Sequence, residues 1–160
     1  MAVISMGFVI VGAAAGDIFD RTQWTLMVAA LLPAVVAAAL VSRSDLARAA
    51  GAVAALLLAV VVTVTVAGGS AGDVVRAFSS GIQGLLSTEW PSPARADLLG
   101  TVALMLATAC AVSAEIAARR RFHLLGLLPL VAVYLGVVAL SSPLGVRWSW
   151  FVGIATVAAR

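Results

Sequence analysis

The chain has 160 residues, of which 63% are hydrophobic and only 11% charged, with a mean hydropathy of +1.15. Soluble globular domains are about 45–50% apolar and about 25% charged, so this composition excludes an ordinary water-covered surface and favours lipid. The net charge of +3 does not indicate nucleic-acid binding, because the basic residues sit in short segments between apolar runs and form no continuous basic face.

A helix that crosses a bilayer needs about 20 apolar residues. The first such run is 1–16, closed by Asp17 and Asp20. It has no basic region ahead of it, which argues against a signal peptide. The second is 24–41, with Pro33 inside, and it is followed by Arg43, Asp45 and Arg48 in a polar loop. The third is 49–67, ended by Gly68-Gly69-Ser70. Its β-branched residues would suit a strand in water, but the length and lack of alternation favour a membrane helix.

A longer polar stretch follows. Within 73–87, Val74, Val75, Phe78, Ile82, Leu85 and Leu86 recur at helical spacing, with Arg76, Ser79, Ser80, Gln83 and Ser87 on the other face. Asp73 stands where a helix start favours an acid. This pattern predicts one amphipathic helix lying on the outer leaflet. Trp90-Pro91-Ser92-Pro93 then breaks it.

The fourth run is 98–118, stopped by Arg119-Arg120-Arg121, and the fifth is 124–140, with Pro129 inside. The prolines in the second and fifth runs predict kinks. The last run, 148–159, has about 12 residues and reaches only about 18 Å, well short of a hydrocarbon core of about 30 Å. The expectation is a sixth span cut short by the end of the sequence. The expected architecture is therefore a single all-α domain: a polytopic bundle of five full spans plus a short or truncated sixth, with one amphipathic interfacial helix.

Arg residues set the expected orientation. Arg43, Arg48, Arg119, Arg120, Arg121 and Arg160 fall on one side, against Asp45 and Glu115. Arg21, Arg76, Arg95 and Arg147 fall on the other, against Asp17, Asp20, Asp73, Glu89 and Asp97. The first side is assigned to the cytoplasm, which places the N-terminus there too. Trp24, Trp90, Trp148 and Trp150 lie near the outer ends of the spans, as an aromatic belt requires. Exclusive use of Arg as the basic residue, with abundant Ala and Val, suits a GC-rich bacterial genome.

Residues that could carry chemistry are few. Glu115 is the one acid well inside an apolar run, and such a carboxylate can serve a proton relay. Its place four residues before Arg119 instead predicts a local ion pair. His123 follows the Arg cluster and reads as an interface residue. Cys110 lies in mid-span without a base to activate it and reads as a small hydrophobe. Gly12-Ala13-Ala14-Ala15-Gly16 fits GxxxG and reads as ordinary helix packing within the chain. No catalytic, cofactor-binding or metal-binding residues are assigned, and no cofactor or small-molecule substrate is expected.

Gly84-Leu85-Leu86-Ser87-Thr88-Glu89-Trp90-Pro91-Ser92-Pro93 precedes the fourth span. Ala117-Ala118-Arg119-Arg120-Arg121-Phe122 leads to Leu127-Leu128-Pro129-Leu130, and Trp148-Ser149-Trp150-Phe151 opens the last. This resembles the N-terminal membrane domain of bacterial, actinobacterial-looking transglutaminase-like proteins of the TgpA type. The resemblance implies that an extracytoplasmic domain with a Cys-His-Asp triad follows the membrane helices. Cys110 and His123 match no part of that triad. The expected function is then a non-catalytic membrane anchor or assembly domain in a bacterial plasma membrane. Its expected partners are the lipid bilayer and other membrane or cell-envelope proteins. The alternative is a small transporter or channel subunit in which Glu115 lines a polar path.

Overall fold

The computed structural model describes residues 2–19, 24–40, 44–87, 93–118 and 127–141. Among them there are seven α-helices and no strand: α1 (Ala2–Ala15), α2 (Trp24–Ala39), α3 (Asp45–Val66), α4 (Ala71–Ser79), α5 (Gly81–Leu86), α6 (Ala96–Ala118) and α7 (Leu128–Ser141). A 3-10 turn, Gly16–Phe19, extends α1. The all-helical expectation holds for these residues.

The number of full-length spans does not. Among the described residues, two helices are long and apolar enough to cross a membrane, Asp45–Val66 and Ala96–Ala117. The other apolar helices, α1, α2 and α7, have 14, 16 and 14 residues, or about 21–24 Å at ~1.5 Å per residue. The expected sixth span, 148–159, lies outside the described residues.

α6 is the central element and packs against each of the other six α-helices. Its inward face carries Leu99, Val102, Ala103, Leu106, Ala107 and Cys110, all buried. They meet Phe8 and Val11 of α1, Leu26 and Ala30 of α2, and Leu130 and Tyr134 of α7 in one apolar cluster. Small residues bring the backbones close. A Cβ on Gly12 would lie 3.0 Å from the Leu26 carbonyl oxygen and 3.1 Å from Met27 Cα. The GxxxG-like segment thus packs α1 on α2 within the chain.

α3 is the peripheral helix. Its packed stripe is Ala55, Ala59, Val60, Thr63 and Val64, spaced for a single helix face. The rest of its circumference exposes Val53, Leu57, Leu58, Val61 and Val66. In the most apolar 18-residue window, 28% of α3 is buried, against 61% for α6. α3 also begins earlier than the run 49–67 suggested. Ser44 caps it, its Oγ accepting the Ala47 N–H at 3.3 Å, so Asp45 and Arg48 belong to its first turn and not to a loop. At the far end Gly68 adopts φ +76°. The Gly69 N–H donates to the Val64 carbonyl at 2.8 Å and the Gly68 N–H to the Thr65 carbonyl at 3.0 Å. These are the two bonds of a Schellman ending, and the left-handed residue there favours glycine.

The segment 73–87 is not one amphipathic helix. It divides at Ser80 into α4 and α5, and both dock on α6. The cause is Gly81, which presses on Thr101 so closely that a Cβ would overlap its side chain. Ala77 and Leu85, on either side of the break, are both buried. Pro129, expected inside its span as the cause of a kink, stands instead at the start of its helix. α7 starts at Leu128, so the proline occupies its first turn, where the missing N–H breaks no helical hydrogen bond. Pro33 does lie inside its helix, α2, and is buried.

Candidate functional site

Charged side chains gather at the two ends of the α3–α6 pair. At the first end, the N-terminal turn of α3 faces the last turns of α6. Arg48 Nη2 pairs with Asp45 on its own helix and lies 3.5 Å from Glu115 Oε1 on α6. These groups line a 340 Å3 pocket whose remaining walls are Pro33 and Ala37 of α2, Ala49 and Ala52 of α3, and Ala111 of α6. Four alanines and a proline surround one guanidinium and two carboxylates. The Arg48 Nε is buried and has no hydrogen-bond partner, so the guanidinium is held by its terminal nitrogens.

Arg48 is 21% exposed and Glu115 40%. At such exposure an ion pair contributes modest attraction, and its main effect is to fix which turn of α3 meets which turn of α6. The local Glu115–Arg119 pairing expected from sequence involves a residue outside the described set. The cross-helix partner Arg48 was missed because it comes from an element remote in sequence. A signal for half of it was present: Ser44-Asp45 is an N-cap followed by a first-turn acid, which places Arg48 on a helix.

At the opposite end, Asp97 in the first turn of α6 is buried and pairs with Arg95 at 2.9 Å. The Thr101 hydroxyl reaches two carbonyls, Asp97 at 2.9 Å on its own helix and Ala77 at 3.2 Å in α4. The Ala77 carbonyl belongs to the last turn of α4, where helix carbonyls lack intrahelical donors. Thr101 therefore ties α4 to α6 by a polar contact beside the Gly81 packing. At the start of α4, the Ser70 N–H donates to Asp73 Oδ2 at 2.7 Å and the Ser70 hydroxyl donates to the same oxygen at 2.8 Å. Asp73 also pairs with Arg76. The backbone N–H and hydroxyl of Ser70, with the Arg76 guanidinium, hold the Asp73 carboxyl well below the usual carboxylate range and push Arg76 up.

Cys110 is buried in the apolar cluster beside the Ala34 backbone of α2, a setting for a packing residue. His123 lies outside the described residues. Among the described residues, no group of three or more His, Cys, Asp or Glu side chains could hold a metal ion. The outer row of α4 and α5, Val75, Phe78, Ile82 and Leu86, is exposed. Trp24 at the start of α2 is exposed as well. No protein-family model, curated protein or solved structure matches the chain.

Proposed function

We propose that this chain is a non-catalytic, multi-pass membrane anchor and assembly domain of a bacterial plasma membrane. The observation that carries the reading is α3. A 22-residue helix that shows Val53, Leu57, Leu58, Val61 and Val66 to its surroundings would be costly in water, where contiguous apolar patches of this kind mark interaction surfaces. In lipid the same surface costs nothing, and its Thr63 and Thr65 hydroxyls are satisfied within the helix by the Ala59 and Val61 carbonyls, each at 2.8 Å. The shorter helices α1, α2 and α7 are accommodated by local thinning of the bilayer and by their interfacial ends. The end holding Arg48 faces the cytoplasm by the Arg bias, and α4 and α5 lie at the outer face.

The transglutaminase-like resemblance extends this proposal: the anchored activity is a transglutaminase-like domain held at the outer face. The transport alternative draws on Glu115 and its pocket. Inward of that pocket, α6 continues with Ala114, Ser113, Cys110, Ala107 and Leu106 on its buried face, which favours an anchor over a polar conduit. The test is to express the chain and extract membranes with alkaline carbonate. Retention with the bilayer, labelling from outside of a Ser79→Cys variant in a Cys110→Ala background, and no transglutaminase or peptidase turnover are expected. Carbonate release, or turnover abolished by Cys110→Ala, would overturn the reading. Flux into liposomes that is lost in Glu115→Gln would establish the transport alternative.

A further inference from the structure

One apolar cavity in the described structure is separate from the charged clusters at the ends of the α3–α6 pair. It measures 520 Å3 and lies between α6 and α7 beneath α5. Val102, Met105 and Thr108 form the α6 wall, Val133 and Gly136 the α7 wall, and Ile82 of α5 closes the outer end. Of the residues that line it, Thr108 alone carries a hydroxyl and none is charged. Gly136 marks where the two helices part, since a Cβ added there would meet nothing within 4 Å. Thr108 and Gly136 are exposed, so the crevice opens sideways.

We propose that this crevice is a binding site for a membrane-lipid acyl chain, held between α6 and α7 as a structural element of the bundle. The proposal rests on the membrane reading above, which sets the medium on the open side. Shape then selects the occupant. The α7 wall runs from Pro129 to Val137, about 12 Å of helix. An uncharged crevice about 12 Å long and open on its side admits an extended hydrocarbon chain. The volume falls in the range of about 300–1,000 Å3 typical of small-ligand sites. The walls offer no charge to select a headgroup, so selection falls on the chain. The exposed Ile82 at the outer end places the headgroup near the interfacial helices.

The site is tested by stripping lipid from the detergent-purified protein and adding back dioleoyl phosphatidylglycerol, dioleoyl phosphatidylethanolamine or dioctanoyl phosphatidylglycerol, with bound lipid counted by native mass spectrometry. The two dioleoyl lipids should bind alike, and the dioctanoyl lipid at least tenfold more weakly. Gly136→Leu should lower dioleoyl binding at least tenfold, because the side chain grows into open space. Gly136→Ala should leave binding within twofold. Ala132→Leu, from a second position on the same wall, should act like Gly136→Leu, and circular dichroism confirms that each variant keeps its helix content. Equal binding by wild type and both leucine variants, or dependence on headgroup without dependence on chain length, would overturn the site. Carbonate extraction separates the two failures: a chain retained in the membrane without chain-length-dependent binding sinks only this proposal.

Discussion

Arg48 Nη2 and Glu115 Oε1 stand 3.5 Å apart, joining the first turns of α3 to the last turns of α6. The pair sits where the two longest apolar helices meet, so it fixes their register at one end while Gly100 fixes it at the other. A Cβ on Gly100 would come within 2.7 Å of Val64 Cγ2 on α3 and 3.1 Å of Ala77 Cβ on α4. A polar clamp and a close-packed small residue thus hold α3 at both ends of one stripe.

A double-mutant cycle with Arg48→Met and Glu115→Gln should give a coupling energy of about 0.5–1 kcal/mol, as partly exposed ion pairs do. Unfolding in mixed micelles of increasing SDS fraction provides the measurement. Because Arg48 also holds Asp45, Arg48→Met alone should cost more than Glu115→Gln alone. A coupling indistinguishable from zero would show that the α3–α6 register is set by packing only.

Gly81→Ala should destabilise the α4–α5 pair, because the added methyl overlaps Thr101 and overpacking of this kind typically costs about 1–3 kcal/mol. Thr101→Ala in the same chain should recover part of that loss by making room, while forfeiting the hydroxyl's contact with the Ala77 carbonyl. Hydrogen exchange at the α4 and α5 amides reads this locally. The prediction fails if Gly81→Ala leaves their protection unchanged.

Much of this architecture was legible because long apolar runs without alternation favour helices, and all seven helices among the described residues overlap segments marked by hydropathy or helical spacing. What escaped was set by packing. Ser44 begins α3 ahead of the apolar run, since a cap and its first-turn charges look like loop to a hydropathy count. Ser79-Ser80-Gly81 divides one amphipathic pattern into two helices because of a residue on α6, which no local period reveals. The Arg48–Glu115 pair and the α6–α7 crevice depend on elements far apart in sequence, and neither helix alone carries a signal for them.

Gly12 and Gly136 should respond oppositely to alanine. At Gly12 the new methyl meets backbone of α2, the Leu26 carbonyl oxygen at 3.0 Å and Met27 Cα at 3.1 Å. Backbone cannot swing aside as a side chain does, so α1 and α2 must separate, at a cost of about 1–3 kcal/mol. At Gly136 the methyl meets nothing within 4 Å, and replacing a mid-helix glycine by alanine stabilises by roughly 0.5–1 kcal/mol. Midpoints of SDS-induced unfolding should therefore move in opposite directions. Two shifts of the same sign would contradict the packing assigned to α1.

The start of α4 should loosen in acid. Asp73 accepts hydrogen bonds from the Ser70 N–H and hydroxyl and pairs with Arg76, which depresses its pKa in the folded state. An unfolded aspartate titrates near pH 3.9. A carboxylate with a lower folded pKa stabilises the folded form fully above that value, and the contribution fades as pH falls below it toward the folded pKa. Amide protection over the first turn of α4 should accordingly hold steady from about pH 7 to 5 and fall below about pH 4. In Asp73→Asn the side chain still accepts from Ser70 but carries no charge for Arg76, so protection should start lower and lose this acid-dependent step. An acid transition of equal size in Asp73→Asn would assign the pH response to another group.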